Sequence, residues 1–254
     1  MTAGMTGPAM AGQGARSAPE PRTLRRTAPP PEAAKANLVD LAYEAIKRAV
    51  LENTYPPGYQ AGEVEIARQL DMSRTPVHEA MARLQEEGFV RILPKRGIVV
   101  LGLSPDDIDQ IYDVISALEG AAGARIAALP KAERTRIARK LEGHTAAMSA
   151  ALAAGDRIAW AQADKAFHDA LAADCRNGRL SRIVGTVTDQ LHRARMFTLN
   201  LRPLPTHSAV EHQALTDAIL AGDAEAADRA ARAHRQQARD QLLPLLRQLN
   251  LSNL

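Results

Sequence analysis

The stretch GEVEIARQLDMSRTPVHEAMARLQEEGFVRILPKRGIVV, residues 62–100, decides how the N-terminal part of the chain folds. Its apolar residues recur at helical spacing in two runs, Ile66, Ala67 and Leu70, then Val77, Met81 and Leu84. Between the runs there is room only for a short turn, and Ser73 or Thr75 is suited to cap a second helix with Pro76 in its first turn. We therefore expect two helices that share one small core, the second of them beginning near Arg74.

A short ribbon is predicted to follow the second helix. Gly88 is typical of a helix end, and residues 89–93 and 98–101 are apolar or alternating segments of strand length. These segments flank PKRG at 94–97, whose two cations give the ribbon a basic tip. The order of helix, turn, helix and ribbon predicts a winged helix-turn-helix.

The N-terminal end of the second helix carries hydrogen-bond donors at a positive dipole end, which suits phosphates and the base edges of the major groove. Residues 36–101 hold eight basic and nine acidic side chains, so the pI of about 9.2 does not by itself argue for nucleic acid. The prediction of DNA binding rests instead on where the donors lie. The predicted contacts to double-stranded operator DNA are Ser73, Arg74, Thr75, His78, Lys95, Arg96 and Gly97.

Several motifs resemble the winged helix-turn-helix of the GntR superfamily and occur in the same order: PPG at 56–58, IARQL at 66–70, SRTPVHEAM at 73–81 and KRG at 95–97. The resemblance covers roughly residues 37–101 and outweighs the alternative of an ordinary helical hairpin. It also implies two departures, because relatives usually have Arg where this chain has His78 and often have a basic residue in place of Val64. A histidine makes that DNA contact weaker, differently aimed or dependent on pH.

The composition narrows the class of protein. The chain has 254 residues, 46% of them hydrophobic, which is enough for two domains of ordinary size. It has no run of 18 apolar residues, so we expect no membrane span, and its single cysteine, Cys175, fits a reducing cytoplasm. Residues 1–35 are rich in Gly, Ala, Pro, Thr and Arg and are predicted to be a disordered tail. The winged domain is predicted to span residues 36–101.

The remainder of the chain is predicted to be helical. Residues 102–105 form a linker in which Ser104 caps a new helix, and residues 106–250 show no strand pattern. Helix breakers divide this part into six helices, predicted at 105–129, 131–154, 156–173, 177–199, 207–221 and 223–249. The predicted fold class is therefore mainly α, an N-terminal winged helix-turn-helix followed by an all-α antiparallel six-helix bundle.

Four residues of this bundle form a candidate metal site. Asp164 and His168 are four apart and share one face of a helix. His212 lies on the inward face of a second helix, and His234 lies among the alanines of a third. A carboxylate with three imidazoles suits a divalent metal ion, zinc first, with nickel or manganese as alternatives. Each histidine alone is more often a core or surface residue, so the prediction depends on the four together.

The same helices are similar to the FCD ligand-binding domain of FadR-type GntR regulators. The resemblance spans about 145 residues and is carried by DKAFHDAL at 164–171, EHQALTDAI at 211–219 and the late His234. It implies that the four residues above hold the metal and that a small carboxylate effector binds at or beside it. Many relatives have an Arg where this chain has Ile115, ahead of Leu118 and Glu119. Other cations must then meet the acid, and the candidates are Arg125, Arg193 and Arg195.

Three classes of function follow. The preferred one is a ligand-responsive transcriptional regulator, a repressor rather than an enzyme, that binds operator DNA as a homodimer and senses a metal and a small acid in its bundle. The second is a metal-dependent enzyme that uses the Asp/His site to activate water, although no further residue at a matching spacing stands out as a general base. The third is a DNA-binding protein in which the metal is purely structural.

Overall fold

The computed structural model describes Met1 and residues 38–248. The disordered tail predicted at residues 1–35 therefore lies, apart from Met1, outside the described residues, as do residues 249–250 at the end of the predicted bundle. The described chain forms two units, each built around its own cluster of buried apolar side chains. The boundary falls at the segment 101–104, close to the predicted linker, and Leu103 of that segment already packs in the second core.

The first unit of the described chain is the predicted winged helix-turn-helix. Its elements are α1 (Leu38–Leu51), β1 (Gln60–Ala61), α2 (Glu63–Leu70), α3 (Arg74–Glu86), β2 (Val90–Leu93) and β3 (Gly97–Val100). The second helix of the motif, α3, begins at Arg74 as the sequence predicts. Ser73 occupies the N-cap position in extended backbone, but its side chain accepts no capping hydrogen bond from the described chain. The expected cap is thus present as backbone geometry and not as a side-chain bond.

The wing has one more strand than the sequence predicts. The order of the sheet within residues 38–248 is β1, β3, β2, with both pairings antiparallel. Gln60 lies opposite Val99 and Ala61 opposite Ile98, so the predicted ribbon gains a third, edge strand. Two residues are too few to show the alternation that marks a strand in a sequence, which is why β1 was missed. The extra strand holds the wing against the start of α2.

The second unit is the predicted helical bundle. Its six helices in the described chain are α4 (Pro105–Ala127), α5 (Lys131–Ala153), α6 (Arg157–Asp174), α7 (Gly178–Thr198), α8 (Ser208–Ala221) and α9 (Ala224–Gln248). Each predicted boundary lies within two residues of the observed one. The start of α4 is fixed by a capping box, in which the Ser104 hydroxyl accepts from the Asp107 amide at 3.1 Å and the Asp107 carboxylate accepts from the Ser104 amide at 2.8 Å.

The packing of the helices places α6, α8 and α9 around a common interior. α4 lies along α9, while α5 packs on both α6 and α8. α7 packs on α6 and α4 and also touches α1, so it is the helix that joins the bundle to the winged domain. None of the described helices combines the length and the apolar character that crossing a bilayer requires.

Gly97 at the start of β3 supports a stability prediction. Its φ is +90°, and a Cβ at this position would lie 2.0 Å from the carbonyl oxygen of Ala61 in β1. Gly58 also has positive φ, +79°, but a Cβ added there would meet no described atom within 4 Å. We expect Gly58→Ala to lower the free energy of unfolding by about 1–2 kcal/mol, and Gly97→Ala by roughly 3–5 kcal/mol, because a backbone clash adds to the φ strain.

Urea denaturation of both full-length variants, followed by circular dichroism, measures the two losses. The Gly58 variant is the matched control for backbone strain without the clash. Equal losses in the two variants would show that β1 yields to the added methyl group, and would contradict a tightly held wing.

Candidate metal centre and nucleic-acid face

The four predicted ligands come together in the interior of the bundle. Asp164 and His168 project from α6, His212 from α8 and His234 from α9, and all four are buried. One donor atom from each lies within 4.8 Å of the others. The Nε2 atom of His168 is 3.2 Å from that of His212 and 3.3 Å from that of His234. We refer to these four residues as the ligand cluster.

The tautomers of the imidazoles follow from what their Nδ1 atoms contact. Nδ1 of His212 is 2.6 Å from the carbonyl oxygen of Ser208, an acceptor, so the proton of this ring is on Nδ1. Nδ1 of His234 likewise donates to the Glu211 carboxylate at 2.8 Å. The Nε2 atoms of both rings are therefore left as bare acceptors that point into the cluster.

The third ring, His168, also has a carboxylate near its Nδ1 atom. Its Nδ1 atom lies 3.1 Å from Oε2 of Glu119, although the pair is not aligned as a hydrogen bond within the described chain. Arg235 holds that carboxylate from the other side, with its Nε 2.7 Å from Oε2 and its Nη2 2.5 Å from Oε1. Burial alone would raise the pKa of Glu119, but Arg235 and His168 outweigh it and hold the pKa well below its usual range. A permanent carboxylate thus faces Nδ1 of His168.

The electrostatics of the cluster favour a bound cation. Burial lowers the pKa of His212 to about 3, and burial together with the neighbouring rings also lowers the pKa of His234. The bare Nε2 atoms of His212 and His234 lie 3.2 and 3.3 Å from Nε2 of His168, so the lone pairs of at least two rings point into one small space. Nitrogens bound to zinc at about 2.0–2.1 Å in a tetrahedral site lie about 3.3 Å apart, so the observed spacing fits such an ion.

Asp164 completes the cluster with one oxygen and is anchored by the other. Its Oδ1 lies 3.6 Å from Nε2 of His212 and 3.8 Å from Nε2 of His168, while Oδ2 accepts from Nη1 of Arg195. Burial opposes ionisation, but Arg195 and the two histidines lower the pKa of Asp164 well below its usual value. The carboxylate is therefore ionised and presents one free oxygen to a metal. Outer-shell partners of this kind orient ligands in metal sites.

Only one of the three arginines predicted to meet an acid lies at the cluster. Arg195 contacts Asp164 directly, as described above. Arg125 instead donates to the carbonyl oxygens of Cys175 and Arg176 after the end of α6. Arg193 is buried beside the end of α1, near Phe197. It lies two positions before Arg195 on α7 and so faces roughly the opposite side of the helix. The expectation that Arg125 and Arg193 meet the acid is thus corrected by their placement.

Two arginines that the sequence interpretation missed lie close to the cluster. Arg235 follows His234 on α9 and is fully buried against Glu119. Arg202 lies between α7 and α8, with its guanidinium 5.5 Å from the centre of the Trp160 ring. A cation next to a predicted ligand was a usable signal for Arg235. The position of Arg202 in an irregular segment gave no periodicity from which to place it.

The predicted DNA-contacting residues lie in two exposed patches. Ser73, Arg74, Thr75 and His78 are exposed at the N-terminal end of α3. Glu63 of α2 holds two of them, with Oε1 2.8 Å from Nδ1 of His78 and Oε2 3.4 Å from Nη2 of Arg74. Glu63 is itself influenced by this contact, since His78 lowers its pKa. Two of the side chains predicted to face DNA are therefore held by the carboxylate of Glu63.

The second patch is the tip of the wing. Lys95 and Arg96 are exposed in the turn between β2 and β3, and Lys95 adopts a positive φ of 62°. Gly97 is buried against β1. Gly97 therefore has a structural role, because it lets the wing pack closely on β1. The exposed groups at the tip of the wing are Lys95 and Arg96.

A winged helix-turn-helix joined to a helical bundle with a buried Asp/His cluster defines a class of DNA-binding regulator with a sensory domain. Comparison with known families agrees with this class. The family described as "Bacterial regulatory proteins, gntR family" matches residues 38–100, and the FCD domain family matches residues 110–237. The chain belongs to the GntR family and carries an FCD domain, and it is a transcriptional regulator rather than an enzyme.

Curated relatives carry names of the same kind. The chain is 56% identical, over 138 residues, to an HTH-type transcriptional regulator in the TAR-I ttuE-ttuC' intergenic region of Agrobacterium vitis, covering 54% of this chain and 81% of the relative. It is 31% identical to a protein of Paenarthrobacter nicotinovorans named a probable D-xylose utilization operon transcriptional repressor, over 73% of this chain and 80% of that one.

Solved structures share the fold. Escherichia coli McbR/YncC superposes with a TM-score of 0.70 at 19% identity, covering 85% of this chain and 100% of that chain. A protein of Rhodococcus sp. RHA1 described as a GntR transcriptional regulator superposes with a TM-score of 0.65 at 24% identity, covering 81% and 97%. These likenesses support the arrangement of a winged domain followed by a helical bundle.

The geometry of the ligand cluster predicts the metal content of a variant. Replacing His212 by Ala removes one inward-pointing nitrogen, so we expect metal affinity to fall by more than the roughly 10–100-fold that loss of an outer-shell partner costs. Protein purified without chelator and dialysed against metal-free buffer is assayed for bound metal by mass spectrometry. His144→Ala, which removes a histidine of α5 outside the cluster, is the matched control. A His212→Ala protein with the metal content of the wild type would contradict the proposed centre.

Proposed function

We propose that the chain is a repressor of the GntR family whose bundle binds a divalent cation and a small organic acid, and that the acid changes the affinity of a homodimer for operator DNA. The observation that carries this proposal is the convergence of three Nε2 atoms, two of them bare acceptors, beside a carboxylate oxygen of Asp164. The name of the Paenarthrobacter relative supports repression rather than activation.

The cation site would consist of the ligand cluster. Three imidazoles and one carboxylate suit zinc, with nickel or manganese as the alternatives, and the anchoring of Asp164 through Arg195 leaves a single oxygen for the metal. When bound, the ion would supply a Lewis-acidic position at which a carboxylate oxygen binds. The residues of the chain would orient the ligands and exclude bulk water from the bundle interior.

The acid would reach the cluster through an adjacent cleft. Both Asp164 and His234 line this cleft. Arg195 lines it as well, so a guanidinium stands beside the candidate metal position. A divalent ion and an arginine together favour an anion over a neutral ligand. This arrangement favours an acid sensor over a purely structural metal, which would need no cleft.

The DNA-binding part would use the N-terminal end of α3 and the tip of the wing. Arg74 is exposed at the first position of α3, where backbone amides and the helix dipole also favour phosphate. One helix of this size reads few base pairs, so a homodimer on a two-fold symmetric site supplies the specificity that one copy lacks. Lys95 and Arg96 would add contacts to the DNA backbone.

A chain of ion pairs gives the two units a physical connection. Lys165, the neighbour of Asp164 on α6, lies 3.0 Å from Oδ1 of Asp189 on α7. Oδ2 of the same carboxylate lies 2.7 Å from Nζ of Lys47 on α1, in the winged domain. The side chains of Lys47 and Asp189 are only 12% and 13% exposed, so solvent screens their attraction less than that of a surface pair. We call the contact of Lys47 with Asp189 the interdomain ion pair.

In the winged domain, Lys47 of the interdomain ion pair also contacts the residue that follows α3. Lys47 donates to the Tyr43 hydroxyl at 2.7 Å and to the Glu87 carboxylate at 3.1 Å, and Glu87 directly follows α3. Gln190 of α7 donates to the backbone carbonyl of Glu87 at 2.9 Å. A small shift of α6 on acid binding would thus act on the end of α3 through α7. Differential contacts of this kind are what allosteric coupling requires.

The first functional prediction concerns Arg74. If Arg74 contacts a base edge, Arg74→Ala should remove roughly 1–3 kcal/mol of discrimination between sites. If it contacts phosphate, affinity should fall on all sequences and the salt dependence of binding should weaken. Gel shifts on a site selected from a random pool by the wild-type protein distinguish the two results.

Arg139→Ala is the matched control for Arg74→Ala, because it removes an exposed arginine from α5 in the bundle and changes the net charge equally. The control should bind DNA like the wild type. Unchanged affinity and unchanged salt dependence of the Arg74 variant would remove this residue from the DNA interface.

The second functional prediction concerns the interdomain ion pair. Asp189→Asn removes the charge that Lys47 and Lys165 share, so DNA binding without acid should persist while the change caused by acid falls below twofold. Couplings between sites are typically 5–150-fold in affinity, which gives the measurement its range. Fluorescence anisotropy of labelled DNA, with and without a panel of short carboxylic acids, measures the response.

Asp174→Asn serves as the control for Asp189→Asn, because Asp174 pairs at 2.9 Å with Lys140 inside the bundle and does not touch the winged domain. This variant should retain the full response. An Asp189→Asn protein that responds to acid like the wild type would show that the signal does not pass through the interdomain ion pair.

A further inference from the structure

Two arginines line the cleft beside the ligand cluster, and one of them has no carboxylate partner among the described residues. Arg195 and Arg202 both line it, together with Trp160, Glu211 and His234. Of the carboxylates that line it, Asp164 is engaged by Arg195 and Glu211 by His234. Arg202 therefore faces the cleft without a carboxylate of its own among the described residues.

Arg195 is fixed by its contacts, but one of its donor atoms has no partner among the described residues. It is 4% exposed, its Nη1 atom pairs with Asp164, and a hydrogen bond with Tyr112 also contributes to its raised pKa. Its Nη2 atom is buried and has no hydrogen-bond partner anywhere in residues 38–248. Buried donors without partners cost about 1–3 kcal/mol each, so such an atom marks a place where a further acceptor is expected.

Arg202 presents the same feature on the other side of the cleft. Its Nε and Nη2 atoms are both buried and lack a hydrogen-bond partner in the part of the chain that the structure describes. Arg157 donates to the backbone carbonyl of Arg202 at 2.8 Å, and this bond fixes the irregular segment that carries it. The guanidinium lies over Trp160, whose Nε1 donates to the Ser208 hydroxyl at 2.9 Å. Nε and Nη2 of one guanidinium form the edge that a carboxylate binds with two parallel bonds.

The two guanidinium groups also disfavour each other. Burial, followed by the charge of Arg195, lowers the pKa of Arg202 to about 10, still far above neutrality. Both groups therefore remain charged in a partly enclosed space, next to a cluster that suits a divalent cation. An anion placed between them would relieve this repulsion and supply acceptors for all three unpartnered nitrogen atoms.

We propose that the effector is a short dicarboxylic acid, with one carboxylate at the cation of the ligand cluster and the other held by the free edge of Arg202 and Nη2 of Arg195. This inference rests on the proposed function, because it assumes that an acid binds at the cluster. A monocarboxylate fills only one of the two positions and leaves the buried donors of Arg202 without acceptors. Sites built around such donors discriminate strongly against ligands that lack the matching group.

The test compares matched acids on the full-length, zinc-loaded protein by isothermal titration calorimetry. Succinate and malate are the dicarboxylates, and butyrate and 3-hydroxybutyrate are the monocarboxylates with the same carbon skeletons. We expect the wild type to bind at least one dicarboxylate at least tenfold more tightly than its monocarboxylate counterpart. Arg202→Gln should remove this preference while zinc content and monocarboxylate affinity stay unchanged.

Two further variants keep the test decisive. Arg202→Lys retains the charge but not the two-pronged edge, so it should show an intermediate preference. It also keeps the test available if Arg202→Gln fails to fold. Arg179→Gln, at an exposed position on α7, should behave like the wild type. Equal affinity of the zinc-loaded wild type for both classes, or a preference that survives Arg202→Gln, would overturn the dicarboxylate assignment alone. Binding of neither class would contradict the proposed acid sensing itself, and this inference with it.

Discussion

Three imidazole Nε2 atoms that converge in a buried interior are the constraint on which the rest of the bundle depends. His212 and His234 each donate from Nδ1 to an acceptor, which leaves their Nε2 atoms bare, and the Glu119 carboxylate lies 3.1 Å from Nδ1 of His168. Burial of such a group without a cation is unfavourable, yet α6, α8 and α9 hold it at the spacing of a tetrahedral metal site. Around it lies a second layer of charge, the buried pair of Glu119 with Arg235, in which each partner requires the other.

Charged contacts lead from the ligand cluster in two directions, one to the cleft and one to the winged domain. Toward the cleft, Asp164 pairs with Arg195, and Arg195 and Arg202 carry buried donor atoms that have no partner within residues 38–248. Toward the winged domain, the helix turn that carries Asp164 also carries Lys165, which shares Asp189 with Lys47. One carboxylate between two lysines is a contact that a small movement of α6 would disturb. The proposed sensing site and the DNA-binding unit are thereby connected through side chains that are largely withdrawn from solvent.

The sequence was informative where a feature repeats or combines within a short range. The helices of the winged domain followed from 3.6-residue periodicity and those of the bundle from the helix breakers between them, and Asp164 and His168 were placed together by their spacing of four. Strand β1 is too short to show a period, and the orientations of Arg125 and Arg193 depend on which neighbours their helices meet. The pairs of Glu119 with Arg235 and of Lys47 with Asp189 join residues far apart in the chain. Only the packing of the helices brings such partners together, so local patterns could not predict them.

The central claim is that a metal in the ligand cluster is the element through which an acid controls DNA binding. It is tested most directly by measuring the DNA affinity of the wild-type protein across a titration with short carboxylic acids, once with zinc bound and once after zinc has been stripped. The account predicts that an acid changes the dissociation constant for DNA by about 5–150-fold in the zinc-loaded protein and leaves it unchanged in the stripped protein. An equal response with and without metal, or no response of the zinc-loaded protein to any acid tested, would contradict it.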